Sequence, residues 1–388
     1  MLLWLEGLCL IGIGCYLVRL LLEALTTWWW VTRVGDPAPT SFPPLSVIKP
    51  VRGLDQEARE NFLSFIETDY PGPVEVLFCV EEETDPVIPV IRTLIADHPG
   101  RAVRLIVAPR QNPRWLGKMA NLVAGVRAAR FDWLVFSDSD VRADRRFLQD
   151  LTAPLHEPRI GLTCGYPVHR GARNWVAALL ALFVHEALPA AVLFFLSGGG
   201  KMAIGASMAI RRDVLDRIGG LEPLGEELAD DAALGRAVSQ AGYRVHLVRH
   251  PIPIIHARGS LTEWWQQMVR WLTTVRHTMP ALYLALPILD SGIPLALGYW
   301  LLDTASGGGG KGLMLLATVM VSRVTSASLT NLAFAKDRAL WSKLWLVLPL
   351  DLVKPCLFIH GLLAREVTWR GRRLRLTREG RAILLGPS

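Results

Sequence analysis

Residues 134–148 read LVFSDSDVRADRRFL, and the apolar run in this stretch ends abruptly at two aspartates, Asp138 and Asp140. Two carboxylates so close together repel each other unless a cation or a hydrogen-bond network lies between them. A plain turn is one interpretation, because Asp and Ser favour turns. A metal site that holds a diphosphate is another, because Mg²⁺ and Mn²⁺ prefer carboxylate and phosphate oxygens. A phosphatase nucleophile loop also contains two such aspartates, but it requires Thr or Val where this chain has Arg142.

The segments around these aspartates alternate between short strands and helices. Strands are predicted at residues 45–51, 74–80, 102–108 and 132–138. This spacing is typical of βαβ units with a parallel sheet, in which ligands bind beyond the carboxyl ends of the strands. The acidic cluster at 81–85 and the aspartates at 138–140 both fall at that edge. We therefore predict an α/β, Rossmann-like domain with a mostly parallel sheet across residues 35–278.

The composition indicates that this domain works at a membrane. Of the 388 residues, 51% are hydrophobic and 20% are charged, which is too apolar for a disordered chain and high for a soluble one. The net charge of +7 suits an anionic membrane surface or a phosphate-bearing substrate. No nucleic-acid recognition motif is present, so we expect no nucleic-acid partner. The five cysteines have neither CxxC spacing nor a metal-ligand spacing with His, so neither a disulfide framework nor a zinc site is expected.

The first apolar segment, residues 2–31, predicts a membrane helix. At about 1.5 Å per residue it is long enough for a bilayer core of about 30 Å. Arg19 and Glu23 lie one helical turn apart, so they can pair and reduce their cost in lipid. The segment has neither a basic start nor a small-residue cleavage site, which disfavours a cleaved signal peptide. We predict a signal anchor over residues 1–34, with the N-terminus outside.

Three apolar stretches near the other end, at 280–302, 312–334 and 344–363, predict membrane segments across residues 279–365. They are followed by a basic tail, residues 366–388, which the positive-inside rule places in the cytoplasm. With the N-terminus outside, this arrangement requires an odd number of crossings. One of the interrupted stretches is therefore expected to be re-entrant or interfacial.

The apolar segment at 175–196 is also long enough to span, but it contains His185, Glu186 and Pro189. A crossing there would place the following residues on the opposite side of the membrane from Asp138. We therefore predict that this segment lies in the interface or in a groove.

Two motifs in the first half of the domain contain candidate ligands for a nucleotide. The acidic cluster that includes Glu82 and Asp85 can accept hydrogen bonds from a ribose or a uracil N–H, or it is a solvated loop. Lys118, at the start of a predicted helix, can contact a phosphate or remain solvated.

Two motifs in the second half of the domain also have both a functional and a purely structural interpretation. Asp230 and Asp231 begin a predicted helix, where carboxylates favour the helix dipole, and Asp231 is a candidate general base. Gln267, Arg270 and Trp271 share one face of a helix by their spacing. The forked guanidinium of an arginine suits diphosphate oxygens, and a Trp ring offers a flat face to a sugar or an acceptor. An interfacial helix with aromatic anchors is the alternative.

Taken in order, these motifs resemble those of family 2-type (GT-A) glycosyltransferases, most closely the ceramide glucosyltransferase group. The segments that carry the resemblance are SVIKPVRGLD, FIETDYP, LFCVEEETDP, KMANL, SDSDVR, RRDVLDRIGGLEPL, ADD, QMVRW and TWRGRRLRL. The resemblance implies a GT-A catalytic domain with N-terminal and C-terminal membrane helices. Asp140 stands where the animal enzymes of the group carry Gly, so at this position the chain agrees with the wider superfamily.

The resemblance also implies roles for the candidate residues. Asp231 matches the catalytic base, and Asp138, with Asp140, matches the pair that holds Mg²⁺ or Mn²⁺. The residues expected to bind the UDP-sugar are Glu82, Asp85, Lys118, Asp138, Gln267, Arg270 and Trp271.

The function implied is that of a membrane-bound, inverting hexosyltransferase that moves a sugar from a UDP-sugar to a hydroxyl of a membrane lipid. The Arg- and Ala-rich composition resembles the bacterial hopanoid-biosynthesis relatives, which favours UDP-GlcNAc and bacteriohopanetetrol over UDP-Glc and ceramide. Because UDP-sugars are cytoplasmic, we expect a multi-pass protein of the bacterial inner membrane with its catalytic domain in the cytoplasm.

Two other classes of protein are weighed against this function. A processive polysaccharide synthase shares the Asp-x-Asp and QxxRW motifs, but it requires more crossings than this chain offers. A non-catalytic membrane scaffold leaves the four ordered motifs unexplained.

Overall fold

A seven-stranded sheet forms the centre of the catalytic domain in the computed structural model, which describes residues 2–33, 35–199, 201–377 and 380–387. Its strands are β1 (Leu45–Pro50), β2 (Val74–Val80), β3 (Ala102–Val107), β4 (Trp133–Ser137), β5 (Ile160–Arg170), β6 (Ser207–Arg211) and β7 (Arg244–Ile255). They lie in the order β3-β2-β1-β4-β6-β5-β7. All pairs are parallel except those of β6, which is antiparallel to β4 and β5. The predicted mostly parallel α/β sheet is confirmed.

The four strands predicted from the sequence agree with the structure to within one residue at each end. They form because their apolar residues are covered on both faces of the sheet, as a parallel sheet requires. The helices of this domain are α2 (Ala58–Ile66), α3 (Ile88–Asp97), α4 (Gly117–Ala128), α5 (Phe147–Thr152), α6 (Trp175–Glu186), α7 (Leu188–Phe194), α8 (Arg212–Arg217), α9 (Asp230–Gln240) and α10 (Leu261–Thr278). The carboxyl ends of β1, β2 and β4 consequently meet at one edge, where the acidic motifs lie.

Apolar helices flank this domain at both ends of the chain, as predicted. They are α1 (Leu2–Arg33), α11 (Pro280–Leu289), α12 (Gly292–Ala305), α13 (Gly310–Thr330) and α14 (Val347–Leu363). By length and composition, five helical stretches can cross a membrane: Trp4–Arg33, Trp175–Gly198, Pro280–Ala305, Gly310–Ala335 and Arg338–Leu363. These apolar helices indicate membrane association.

Half of the apolar window of the Trp175–Gly198 stretch is buried by the rest of the chain, and the Arg338–Leu363 stretch is buried to a similar extent. The helix is interrupted after Glu186, and Pro189 stands in the first turn of α7. Its placement in the interface or in a groove stays a prediction.

A network of buried charges joins the apolar helices. The Lys354 ammonium lies 2.7 Å from Glu186 Oε1 and 2.9 Å from Asp351 Oδ1, and Arg323 Nε donates to Asp351 Oδ2 at 2.9 Å. Arg323, Asp351 and Lys354 are each at most 2% exposed. The network continues into α1, because the Tyr16 hydroxyl donates to Asp351 Oδ2 at 3.0 Å. Within α1, Arg19 pairs with Glu23 at 3.0 Å, which confirms the pairing predicted from the sequence. Charges buried in this way are tolerated only because each has partners of opposite sign.

Residues 366–388 were predicted only as a basic tail, but they contain a second sheet. Its strands, β8 (Glu366–Trp369), β9 (Arg372–Leu376) and β10 (Ala382–Pro387), are antiparallel in the order β10-β9-β8. Val367, Leu374 and Ala382 pack against Leu116 and Leu228 of the catalytic domain. The C-terminal segment is therefore part of the folded catalytic unit.

Candidate active site

The Asp-x-Asp motif forms a turn directly after β4. The Asp138 N–H donates to Ala206 O at 3.0 Å, which ties the turn to the start of β6. The Ser139 hydroxyl, between the two aspartates, donates to the Asp55 carboxylate. About a third of the Asp138 side chain remains exposed, so its carboxylate is accessible to a ligand.

Lys118, at the start of α4, joins two motifs that are far apart in the sequence. Its ammonium lies 2.9 Å from Asp138 Oδ1 and 3.3 Å from Asp230 Oδ2. Burial alone would lower the pKa of Lys118, but the charges of Asp138 and Asp230 raise it well above its ordinary value. The structure thus places the Asp-x-Asp turn and the aspartate pair of α9 in one cluster around a fixed cation.

A second lysine lies beneath the turn and was not singled out from the sequence. Lys49, on β1, is fully buried, and its ammonium donates to Asp138 O at 2.8 Å and to Ser137 Oγ at 3.3 Å. The ammonium also lies 3.7 Å from the centre of the Phe65 ring. Burial lowers the pKa of Lys49 to about 7, although the Asp140 and Asp138 carboxylates oppose the shift. The sequence signal that could have identified Lys49 is the presence of a lysine within the mostly apolar run LSVIKP.

The carboxylates around this turn lie close enough together to repel one another. Burial, followed by repulsion from Asp138 and Asp55, raises the pKa of Asp140 to about 7, while Arg370 and Lys49 oppose the shift. Repulsion between carboxylates at this point favours a bound cation. Over the described ranges no group of three or more His, Cys, Asp or Glu is arranged to hold a metal. An ion here would therefore take two carboxylates and complete its coordination with ligand oxygens and water, as Mg²⁺ commonly does.

Asp231 begins α9, as predicted, and its carboxylate is only partly committed. One oxygen accepts from the Ala232 N–H at 2.7 Å. Burial and the adjacent Asp230 raise the pKa of Asp231 to about 6, against the attraction of Lys118. Gly205 faces this side chain so closely that an added Cβ would lie 2.8 Å from the Asp231 carboxylate. The arrangement suits a general base, because its proton affinity is close to neutral pH.

The predicted helix with Gln267, Arg270 and Trp271 is confirmed as α10, and a Ser260–Glu263 capping box fixes its start. Burial lowers the pKa of Arg270 to about 10, and the charges of Asp230 and Asp138 oppose this shift. Arg270 Nε is buried and has no hydrogen-bond partner among the described residues. The Trp271 ring lies 6.5 Å from the His169 ring, and Gln267 is half-buried on the same helix face.

The acidic cluster after β2 separates into residues with different surroundings. Asp85 accepts from the Gly53 N–H at 2.9 and 3.1 Å and from the Val87 N–H at 3.0 Å, so it ties the loop after β1 to the loop after β2. Glu82 is exposed, and its carboxylate lies 3.9 Å from Arg372. Glu82, like the adjacent Glu83, is thus open to a ligand, whereas Asp85 holds the loops in place.

Two residues beside the site were not named from the sequence. Asp55 accepts from Ser139 and from Arg370, whose Nη1 and Nη2 lie 2.6 and 3.2 Å from its oxygens. Both residues occur in segments that carried the family resemblance, SVIKPVRGLD and TWRGRRLRL, which was the signal available.

The comparison with protein families agrees with this geometry. The chain matches the model described as glycosyl transferase family 21 over residues 6–382. The chain belongs to glycosyl transferase family 21. It is therefore a glycosyltransferase, and the predicted resemblance to the ceramide glucosyltransferase group is confirmed.

Similar proteins of known name agree with the family assignment. Ceramide glucosyltransferase 1 of Caenorhabditis elegans is 28% identical over 97% of this chain and 82% of its own length. Ceramide glucosyltransferase 3 of the same organism is 25% identical over 89% of this chain and 75% of its own length. Among solved structures, the chain is similar to the mannosyltransferase PcManGT from Pyrobaculum calidifontis in complex with GDP-Man and Mn²⁺. That likeness has a TM-score of 0.55 at 19% identity, covers 92% of this chain and 98% of the other, and confirms the fold.

Proposed function

We propose that this family 21 glycosyltransferase moves a sugar from a UDP-sugar to a hydroxyl group of a membrane lipid, with inversion at the anomeric carbon. The observation that carries the proposal is the convergence of Asp138 and Asp230 on the Lys118 ammonium, at 2.9 and 3.3 Å. Apolar helices at both ends of the chain and the ceramide glucosyltransferases among its relatives support a lipid acceptor.

The donor diphosphate is assigned to the cluster of cations and aspartates. Asp138 and Asp140 would hold a Mg²⁺ or Mn²⁺ ion, which, when bound, neutralises charge on the departing diphosphate. Lys118 is a fixed cation 2.9 Å from Asp138, and it would stabilise the same developing charge together with Arg270. Glu82, Asp85, Gln267 and Trp271 complete the proposed donor site.

Asp231 is assigned as the general base. An alcohol is too weak an acid to ionise first, so the base must accept the proton as the oxygen attacks. The acceptor O–H bond breaks toward Asp231, the oxygen bonds to C1 of the sugar, and the C1–phosphate bond breaks to release UDP. Attack from the face opposite the leaving group inverts the anomeric configuration.

Two combinations of sugar donor and lipid acceptor are candidates for this chain. The sequence resemblance favours UDP-GlcNAc with bacteriohopanetetrol, whereas the names of the relatives make UDP-Glc with ceramide at least as good a fit. Since a single cytoplasmic donor must reach every motif, we propose that the catalytic domain lies on the cytoplasmic side of a bacterial inner membrane.

The test uses the purified full-length protein in detergent. UDP-Glc and UDP-GlcNAc are each offered with ceramide and with bacteriohopanetetrol, with Mg²⁺, with Mn²⁺ or with EDTA, and the products are read by mass spectrometry. We expect a single sugar added to one of the lipids, and only when a divalent ion is present. A polymeric product, or the same transfer in EDTA, would contradict the proposal.

A further inference from the structure

The turn between β8 and β9 has a defined backbone. Trp369 pairs with Arg372 across the hairpin, which leaves Arg370 and Gly371 as a two-residue loop. Both loop residues have positive φ, 49° at Arg370 and 70° at Gly371, as the tight hairpin turn requires. A non-glycine residue in this region is uncommon, so the side chain at position 370 is held at the tip at some conformational cost.

The tip of this hairpin lies against the Asp-x-Asp turn. The Arg370 guanidinium makes two contacts with Asp55, at 2.6 and 3.2 Å, and Asp55 also accepts from Ser139. Burial alone would lower the pKa of Arg370, but Asp55, followed by Asp140 and Asp138, raises it. Asp55 thus links Arg370 to Ser139, which lies between the two aspartates of the motif.

The residues that flank the two-residue turn, Trp369 and Arg372, lie close to two other parts of the site. The Trp369 ring lies 5.5 Å from the guanidinium carbon of Arg270. Arg372 lies 3.9 Å from both Glu81 and Glu82. One short turn thus lies against the QxxRW motif and the acidic cluster, and Asp55 joins it to the Asp-x-Asp turn.

The rest of the small sheet anchors this turn to the segments that carry the site. Leu116 and Leu228, against which Val367 and Leu374 pack, lie just before Lys118 and Asp230 in the chain. The Ala382 N–H donates to Glu226 O at 2.9 Å, which fixes β10 to the same segment.

Asp55 uses only part of the hydrogen-bonding capacity of Arg370. A guanidinium has about five N–H donors in a planar fork, and its geometry matches phosphate oxygens. The Arg370 side chain is 42% exposed, so its remaining donors are accessible from the side open to solvent. Two contacts to Asp55 orient the fork in advance, which reduces the entropy lost when a ligand binds.

We propose that the β8–β9 turn forms part of the donor site and that Arg370 binds the diphosphate of the sugar nucleotide, with Asp55 as its positioning residue. This inference rests on the proposed UDP-sugar donor and adds a residue to that site from the C-terminal sheet.

The experiment compares Arg370→Gln and Arg370→Lys with Arg375→Gln in the full-length protein. Arg375 is the matched control, because it lies on the same sheet and pairs with Glu366 at 2.8 Å, outside the site. Isothermal titration with UDP and with UMP is combined with the KM for the donor, the KM for the acceptor and the Tm.

We expect Arg370→Gln to weaken UDP binding and raise the donor KM by about 10- to 100-fold, the range for a lost charge-assisted hydrogen bond. The affinity for UMP, which lacks the second phosphate, should fall less than the affinity for UDP. The acceptor KM should not change. Arg370→Lys should recover part of the affinity, because it retains the charge but not the fork. If Arg370→Gln does not fold, Arg370→Lys still provides the test through its ratio of UDP to UMP affinity.

Equal UDP affinity in the wild type, Arg370→Gln and Arg375→Gln would overturn this inference while leaving the proposed function intact. Equal losses for UDP and UMP, together with a lowered Tm, would also overturn it, since they would indicate a structural role. A wild-type protein that binds no UDP would instead overturn the proposed function itself.

Discussion

Protonation of Asp231 is expected to determine the acid limb of the pH–rate profile of sugar transfer. Burial and the neighbouring Asp230 raise the pKa of Asp231 to about 6. A general base acts only in its deprotonated form, so kcat should rise with pH through about 6 and level off above it. For one ionisation at this pKa, the deprotonated fraction is about 0.9 at pH 7 and about 0.1 at pH 5. The rate should therefore fall about tenfold between these two pH values.

Substitutions at Asp231 and at Asp230 distinguish the role of the base from the effect of its neighbour on the pKa. Asp231→Asn removes the proton acceptor and should lower kcat by about 10²- to 10⁴-fold, the usual contribution of general base catalysis. Asp230→Asn keeps the base but removes a like charge beside it, so the pKa of Asp231 falls. In that variant the acid limb should move to lower pH.

The assay measures initial rates of sugar transfer from pH 5 to pH 8 at constant ionic strength, with donor and lipid both saturating. UDP binding is titrated in parallel to show that each variant retains its donor site. The reasoning is refuted if Asp231→Asn keeps more than about a tenth of the wild-type rate. An unchanged acid limb in Asp230→Asn would refute the account of why the pKa is raised.

Three further predictions concern packing and charge. Gly205→Ala would place a Cβ 2.8 Å from the Asp231 carboxylate, so kcat should fall while UDP binding persists; equal kcat would contradict this. Lys354→Met leaves buried carboxylates without their cation and should destabilise the protein by about 3–5 kcal/mol, measured as thermal unfolding in detergent against an exposed Lys311→Met control. Burial alone would lower the pKa of His250, but Asp144 and Asp150 raise it to about 9, above the unfolded value of about 6.5. Its contribution to stability is therefore complete below pH 6.5 and lost as pH rises through 9, so His250→Gln should destabilise at pH 6 and much less at pH 9.5.

The central strands of the sheet could be predicted closely because they are buried on both faces. A strand such as Val74–Val80 is a nearly continuous apolar run bounded by turn residues, and that pattern is local. The later strands were not predicted. Ile160–Arg170 mixes Gly, Thr and Pro with its apolar residues, and its burial depends on partners on both sides in the sheet.

The C-terminal sheet was missed for a related reason. Arg372–Leu376 reads RRLRL, in which charge conceals the alternation of buried and exposed positions. Leu374 is buried only because the catalytic domain supplies Leu116 and Leu228 as its partners. Short hairpins are marginal in isolation, so no local pattern could show that this one would fold.

Within the candidate site, the sequence alone determined that Asp138 follows a strand, that Asp231 lies at the start of a helix and that Arg270 lies on a helix face. Backbone sterics and hydrophobic periodicity act over a few residues, and the printed sequence contains all that they require. Only the tertiary structure decided that Lys118 lies between Asp138 and Asp230, and that Arg370 reaches Asp55 from the far end of the chain. Contacts of that kind depend on closing long loops and burying apolar surface between distant segments, and their free energy belongs to the packed molecule as a whole.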